Sequence, residues 1–207
     1  MASLSRRTEA QSSKRAAVEA SVLEATEALL EEGAAYSELG IERIATRAGI
    51  SRTAFYFYFR DKRELLRRLT AGVADELFGE AERWWAGDGD GRAELRDAIA
   101  KIVGIYHRHP ALLRAIVEAA AYDEEVAVFW RALVGRFVDS TRERIEREQA
   151  DGNADPAVPA HATAFALVWM TERSAYERLV QPGSVPEQPF VDALLRIWLS
   201  AVYGAPR

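Results

Sequence analysis

Residues 41–62 read IERIATRAGISRTAFYFYFRDK. Ile41, Ile44, Ala45 and Ala48 recur at i, i+3, i+4 and i+7, the spacing that puts apolar side chains on one face of a helix. Gly49 follows where a helix commonly ends in a left-handed residue, a conformation glycine adopts without steric cost. Ser51 is placed to cap a second helix by accepting an N–H from Thr53 or Ala54. Within that helix Phe55 and Phe59 are four apart and face inward, which leaves Arg52, Thr53, Tyr56 and Phe57 outside. A cation, a hydroxyl and aromatics on the outer face of a short helix are poorly explained as packing. They suit a helix whose N-terminal end enters a DNA major groove.

Charge supports the same reading. Between Arg43 and Arg68 there are eight Lys or Arg and two acids, a local excess of six positive charges in a chain whose formal net charge is −5. Phosphate binding needs positive charge nearby rather than a basic protein, because screening removes interactions beyond about 8 Å.

At 207 residues the chain has length for a sizeable core, and 49% hydrophobic with 29% charged residues fits a soluble globular protein. It has no cysteine, which excludes disulfides and thiolate metal sites. No apolar run reaches the roughly 18 residues of a membrane span. MASLSRRTEAQSSKR at the N-terminus lacks the apolar segment of a secretion signal. A cytoplasmic protein without membrane association is expected.

Outward from the hairpin, residues 1–13 read as a disordered arm in which Arg6 and Arg7, followed by Lys14 and Arg15, can reach a phosphate backbone. A first helix is predicted from about Lys14 to Glu32, ended by Gly33. Asp61, with Glu64 three residues on, opens a long helix striped by Leu65, Leu69, Val73 and Leu77. GDGDG at 87–91 breaks it. A calcium loop starting at Asp88 needs an acid where Ile99 stands, so this stretch is a turn. Helices follow over Leu95–Tyr106, from Pro110 to Ala121, and from Asp123 through a charged end, RERIEREQ, expected to be solvated. His107 and His109 point to different faces, and no metal site or cofactor is expected. After the loop at 150–159, helices run from about Pro159 to Val180 and from about Pro189 to Tyr203. The last is apolar on two sides, with Ala193, Ile197 and Ala201 opposite the stripe carrying Trp198. A helix apolar on both sides must be buried on both, and a second copy of the chain is the simplest partner. The expected architecture is all-α with about nine helices: a three-helix, homeodomain-like helix-turn-helix head over 14–74 and a helical body over 75–207.

IERIATRAGISRTAFYFYFRDKRELL resembles the TetR family of transcriptional regulators: Ile-Ala, Ala-Gly-Ile-Ser, an aromatic-rich recognition helix and a Lys-x-x-Leu start to the fourth helix. GISRTAFYFYF, VPAHATAFALVWMTERSAYERL and LLRIWLSAVYG are similar to its ethionamide-resistance (EthR-like) branch. The resemblance implies a homodimer on double-stranded operator DNA. Ser51 then falls among the DNA-binding residues at the start of the recognition helix, and Arg52 and Thr53 fall where the family reads bases. Tyr56, Phe57, Tyr58 and Lys62 fall where the family touches phosphates or sugar edges, and Phe57 replaces the more usual Tyr or Trp. The resemblance further implies an aromatic-lined channel for a small apolar effector at Leu95, Ile102, Tyr106, Trp130, Val168, Thr171, Glu172 and Trp198. Ile197 and Ala201 fall in the dimer interface.

The expected function is a ligand-responsive DNA-binding regulator, a repressor released by a small apolar molecule. One alternative is a constitutive DNA-binding dimer without a switch. Another is a helical enzyme using Glu172 with His161 or His107, for which no nucleophile motif, metal signature or phosphate loop is present.

Overall fold

A computed structural model describes residues 2–181, 183 and 185–204, with side chains from residue 13 onward. Among these residues the chain forms nine helices and no strand. They are α1 (Ala2–Glu31), α2 (Ile41–Arg47), α3 (Arg52–Tyr58), α4 (Lys62–Trp85), α5 (Gly91–Arg108), α6 (Pro110–Tyr122), α7 (Glu124–Ala150), α8 (Ala160–Val180) and α9 (Glu187–Tyr203).

The helix boundaries follow their capping chemistry. Gly33 and Gly49 both take positive φ. Behind them the Ala34 and Ile50 N–H groups reach back to the Leu29 and Ala45 carbonyls, closing α1 and α2. Ser51 caps α3 by accepting the Ala54 N–H at 3.1 Å. Asp61 caps α4 by accepting the Glu64 N–H, and the Glu64 carboxylate accepts the Arg60 N–H, a capping box shifted one residue outward. Asp90 and Asp123 cap α5 and α7, so the GDGDG stretch ends as a helix start.

Three expectations need correction. α1 begins at Ala2, through the stretch read as a disordered arm; no Gly or Pro lies between Ala2 and Glu31 to stop it. The side chains of Arg6 and Arg7 lie outside the described residues. α9 starts at Glu187, Pro189 being tolerated in its first turn. The charged end of α7 is not fully solvated: Arg144, Ile145 and Glu148 are buried. They continue the stripe of Leu133, Val134, Val138 and Thr141 and face the start of α5 and the end of α9.

Phe55 and Phe59, both buried and 5.4 Å apart between ring centroids, join Leu39, Ile44, Leu65 and Leu66 in the head. Their core is continuous with that of the body, because α4 carries Leu69, Val73, Leu77, Ala81 and Trp84 onward. At about 1.5 Å per residue this 24-residue helix spans about 36 Å, and it crosses the boundary expected at residue 74. Head and body also meet where the His109 Nδ1 lies 2.9 Å from Glu27 of α1, and where Arg63 pairs with Asp123.

Candidate nucleic-acid interface and central cavity

On α3 the inward aromatics force the others out. Ser51, Arg52 and Thr53 are exposed, as are Tyr56 (48%) and Phe57 (74%), and Arg52, Thr53, Tyr56 and Phe57 line one shallow groove. An exposed phenylalanine of that degree contributes nothing to the protein's own core. Tyr58 is half-buried, and the Arg15 guanidinium of α1 lies 5.8 Å from its ring.

Lys62 is positioned differently from the others. Its ammonium donates to the Tyr36 carbonyl at 2.6 Å and the Ser37 carbonyl at 3.3 Å, while the Tyr36 hydroxyl donates back to the Lys62 carbonyl. Burial holds its pKa below the ordinary lysine range. This reciprocal clasp ties the segment before α2 to the first turn of α4 and leaves one of three ammonium donors for anything else.

The positive charge of the head is also smaller than a count along the sequence suggests. Arg47 pairs with Glu32, Arg63 with Asp123 and Glu125, and Arg68 with Glu64 and Glu19. Arg60 reaches Asp61 at 3.5 Å. Four of those acids arrive from outside residues 43–68, which is why sequence proximity missed them. Arg43 and Arg52 form no ion pair among the described residues, and Arg67 lies over the Phe129 ring.

Inside the body, α4 to α9 surround a cavity of about 80 Å³. All eight residues expected to line a channel (Leu95, Ile102, Tyr106, Trp130, Val168, Thr171, Glu172 and Trp198) border this one space. The expectation omitted its α4 wall of Thr70, Val73, Ala74, Leu77, Ala81, Trp84 and Trp85, together with Phe137 and Thr141. The α4 stripe gave the signal, since a long helix with one apolar face must lay it against the body.

Most polar groups here are committed to the protein. The Thr70 and Thr171 hydroxyls donate to the Leu66 and Leu167 carbonyls. Thr171 also accepts the Trp198 indole N–H at 2.8 Å, and Thr141 accepts that of Trp85 at 3.1 Å. Glu172 is 7% exposed. Burial pushes its carboxyl above the usual carboxylate range, against the pull of the Arg173 charge and the Trp130 indole N–H. Burial and the nearby Glu172 charge likewise push the Tyr106 phenol up.

On the outer side of α8 and α9, Phe165 is 54% exposed and Ile197 45%, with Ala193 exposed and Trp169 and Ala201 half-buried. The described residues contain no cluster of three or more metal-ligating side chains and no helix long and apolar enough to cross a membrane.

Comparison with known proteins meets both halves of this geometry. Residues 22–69 match the family model for bacterial regulatory proteins of the tetR family, and residues 95–204 match that for the C-terminal domain of transcriptional regulator EthR. The HTH-type transcriptional regulator EthR of Mycolicibacterium smegmatis is 34% identical over 191 residues, covering 90% of this chain and 86% of that protein. EthR of Mycobacterium tuberculosis is 32% identical over 194 residues, covering 91% and 88%. Among solved structures, the complex of SmeT with triclosan superposes with a TM-score of 0.77 at 21% identity, over 89% of this chain and 91% of that one. Taken with the helix-turn-helix head and the cavity-bearing body, these matches show that the chain belongs to the TetR family of transcriptional regulators and carries an EthR-type C-terminal domain.

Proposed function

We propose that this regulator is a ligand-responsive repressor: a homodimer that sets two α3 helices in successive major grooves of an operator and leaves it when an apolar small molecule fills the central cavity. The observation that carries this reading is the path of α4. Its first turn is clasped to the head through Lys62 and Tyr36, and its last four turns form one wall of the cavity. At about 80 Å³ the cavity is smaller than the roughly 300–1,000 Å³ of sites for drug-sized ligands. A ligand therefore enters by pushing side chains apart, and α4 is the wall joined to the head. SmeT, whose structure was solved with triclosan, is itself a repressor of a multidrug efflux pump.

On the DNA side, Arg52 and Thr53 read base edges from the first turn of α3. Ser51 and Tyr56 supply hydroxyls to the backbone, Phe57 packs against sugar edges, and Tyr58 and Lys62 brace the helix on its inner side. The exposed faces of α8 and α9, with Phe165, Ile197 and Ala201, pair with those of a second copy. Chromosomal DNA as the partner puts the protein in the cytoplasm.

Operator binding measured against added ligand tests the proposal. A compound that quenches the cavity tryptophans should weaken operator binding, and operator DNA must weaken binding of that compound by the same factor. Arg52→Ala should cost about 1–3 kcal/mol on the cognate operator and less on random DNA. If compounds fill the cavity and operator affinity does not move, the protein is a constitutive DNA-binding dimer.

A further inference from the structure

We infer that Glu172 and Tyr106 form an ammonium-binding end of the cavity, so that the effector is an apolar molecule carrying one protonated amine. The inference rests on the reading of the cavity as the effector site and narrows its chemistry.

The hydrogen-bond inventory leads there. Thr70, Thr141 and Thr171 are engaged within the protein, and the Trp85 and Trp198 indoles donate to two of those hydroxyls. The Trp84 indole N–H leaves the cavity for the Tyr203 hydroxyl. Three polar groups in the lining remain: the Tyr106 hydroxyl, which makes no hydrogen bond among the described residues, and the Glu172 carboxyl with the Trp130 indole N–H beside it. Glu172 and Tyr106 are close enough that the charge of one disfavours ionisation of the other. Both are at least nine-tenths buried.

Charge is one-sided within the lining, and Arg173, the cation whose pull reaches Glu172, stands outside it. The lining contains no Lys, Arg or His. Arg173, adjacent in sequence, lies on the outer side of α8, where it pairs with Glu177 at 2.6 Å and stacks on Tyr176. The Trp130 indole N–H beside the carboxylate is a neutral dipole and brings no countercharge. A buried carboxylate without a cation is costly, and two remedies exist: it takes a proton, or a ligand brings the cation. A neutral apolar ligand gains only contact area. An ammonium gains the ion pair with Glu172 and a hydrogen bond to the Tyr106 oxygen.

A matched pair of probes tests this on the full-length protein: 4-phenylbutylamine and 4-phenylbutanol, which share a carbon skeleton and differ in the charged end. Affinities come from tryptophan fluorescence, and release of operator DNA is measured with each. The amine should bind at least tenfold more tightly than the alcohol. Glu172→Gln should bring the two within about twofold by weakening the amine, and Tyr106→Phe should shrink the amine's advantage severalfold. The wild-type ratio needs no variant, so it decides the matter even if Glu172→Gln unfolds. Equal binding of both probes, or an amine preference that survives Glu172→Gln, overturns the ammonium site and leaves the effector cavity standing. If neither probe binds, the cavity reading and this inference fall together.

Discussion

In α3, Arg52 and Thr53 stand in solvent while Phe55, with Phe59 just past the helix end, turns inward. In the last turns of α7, Arg144 and Glu148 turn inward while Arg142 and Glu143 stay nearer the surface. Both are helices with mixed faces, but the sequence reading places the inward face of α3 correctly and leaves the charged end of α7 solvated, which it is not. They differ in what covers the face. The polar face of α3 is exposed among the described residues, which leaves it open to a partner. The polar positions of α7 fall under the α4–α5 turn and the end of α9. There Arg144 lies 2.6 Å from Glu148, Glu148 accepts the Tyr203 hydroxyl at 3.0 Å, and Tyr203 accepts the Trp84 indole N–H at 3.0 Å. Arg144 also donates to the Gly87 carbonyl, and Glu94 is 3.4 Å away. At Gly91 a Cβ would come within 2.4 Å of the Tyr203 hydroxyl and 2.5 Å of the Glu148 carboxylate. The turn glycine there makes room for a buried ionic network. A charged side chain on a helix thus marks a partner surface only where the rest of the chain leaves it uncovered.

The sharpest way to break this comparison is to remove one member of the buried network. Arg144→Ala strands Glu148 without its cation and should lower stability by about 3–5 kcal/mol, read as a shifted urea midpoint. Arg144→Met with Glu148→Leu removes both charges and should cost much less. Should Arg144→Ala change stability by less than about 1 kcal/mol, the network is hydrated and the two helix ends are alike after all.

A second test stays within α3. Phe55 is fully buried and Phe57 is not. Phe55→Ala should cost about 3–5 kcal/mol, and Phe57→Ala should fall within about 0.5 kcal/mol of the wild type. Phe57→Ala should nevertheless weaken operator binding. A loss of stability in that variant, or unchanged operator binding, would remove the case for an outward aromatic with a DNA role.

The head was legible because its determinants are local. Gly33, Gly49, Ser51 and Asp61 set the boundaries of elements within a few residues of themselves, and Phe55 and Phe59 fix the inward face. The positions of the cavity residues were legible only through family resemblance. Leu95, Trp130 and Glu172 lie on three helices far apart in sequence, and no periodicity brings them together. The α4 wall and the committed state of Thr171 were illegible for the same reason, since both depend on which helix packs where. Glu172 was visible as an anomaly, a carboxylate in AFALVWMTERSAY, but its surroundings needed the fold. Four of the six acids that pair with the head's arginines also come from outside residues 43–68, so a local count overstates its positive charge.

That last point yields the finest test. Lys62 and Arg43 count equally in the sequence, one positive charge each near the recognition helix. In the fold they are unequal: the Lys62 ammonium holds two carbonyls and Arg43 is exposed without an ion pair among the described residues. Neutralising a side chain that binds phosphate retains one counterion more on the DNA and flattens the salt slope of binding by about one unit. Arg43→Ala should do this on cognate and random DNA alike while leaving stability nearly unchanged, because nothing inside the protein depends on it. Lys62→Met keeps the aliphatic stem but opens the clasp between Tyr36 and α4, and should lower stability by about 1 kcal/mol, a charged but half-exposed hydrogen bond being worth little more than a neutral one. Its salt slope should change by clearly less than one unit, and any loss of affinity should be greater for the operator than for random DNA, since a misplaced α3 loses register before it loses charge. Fluorescence anisotropy at several salt concentrations, with thermal melts of each variant, separates the two. If Lys62→Met flattens the slope as much as Arg43→Ala and melts like the wild type, the ammonium leaves its carbonyls for phosphate when DNA arrives, and the charge read along the sequence was the better guide to this residue than its place in the free protein.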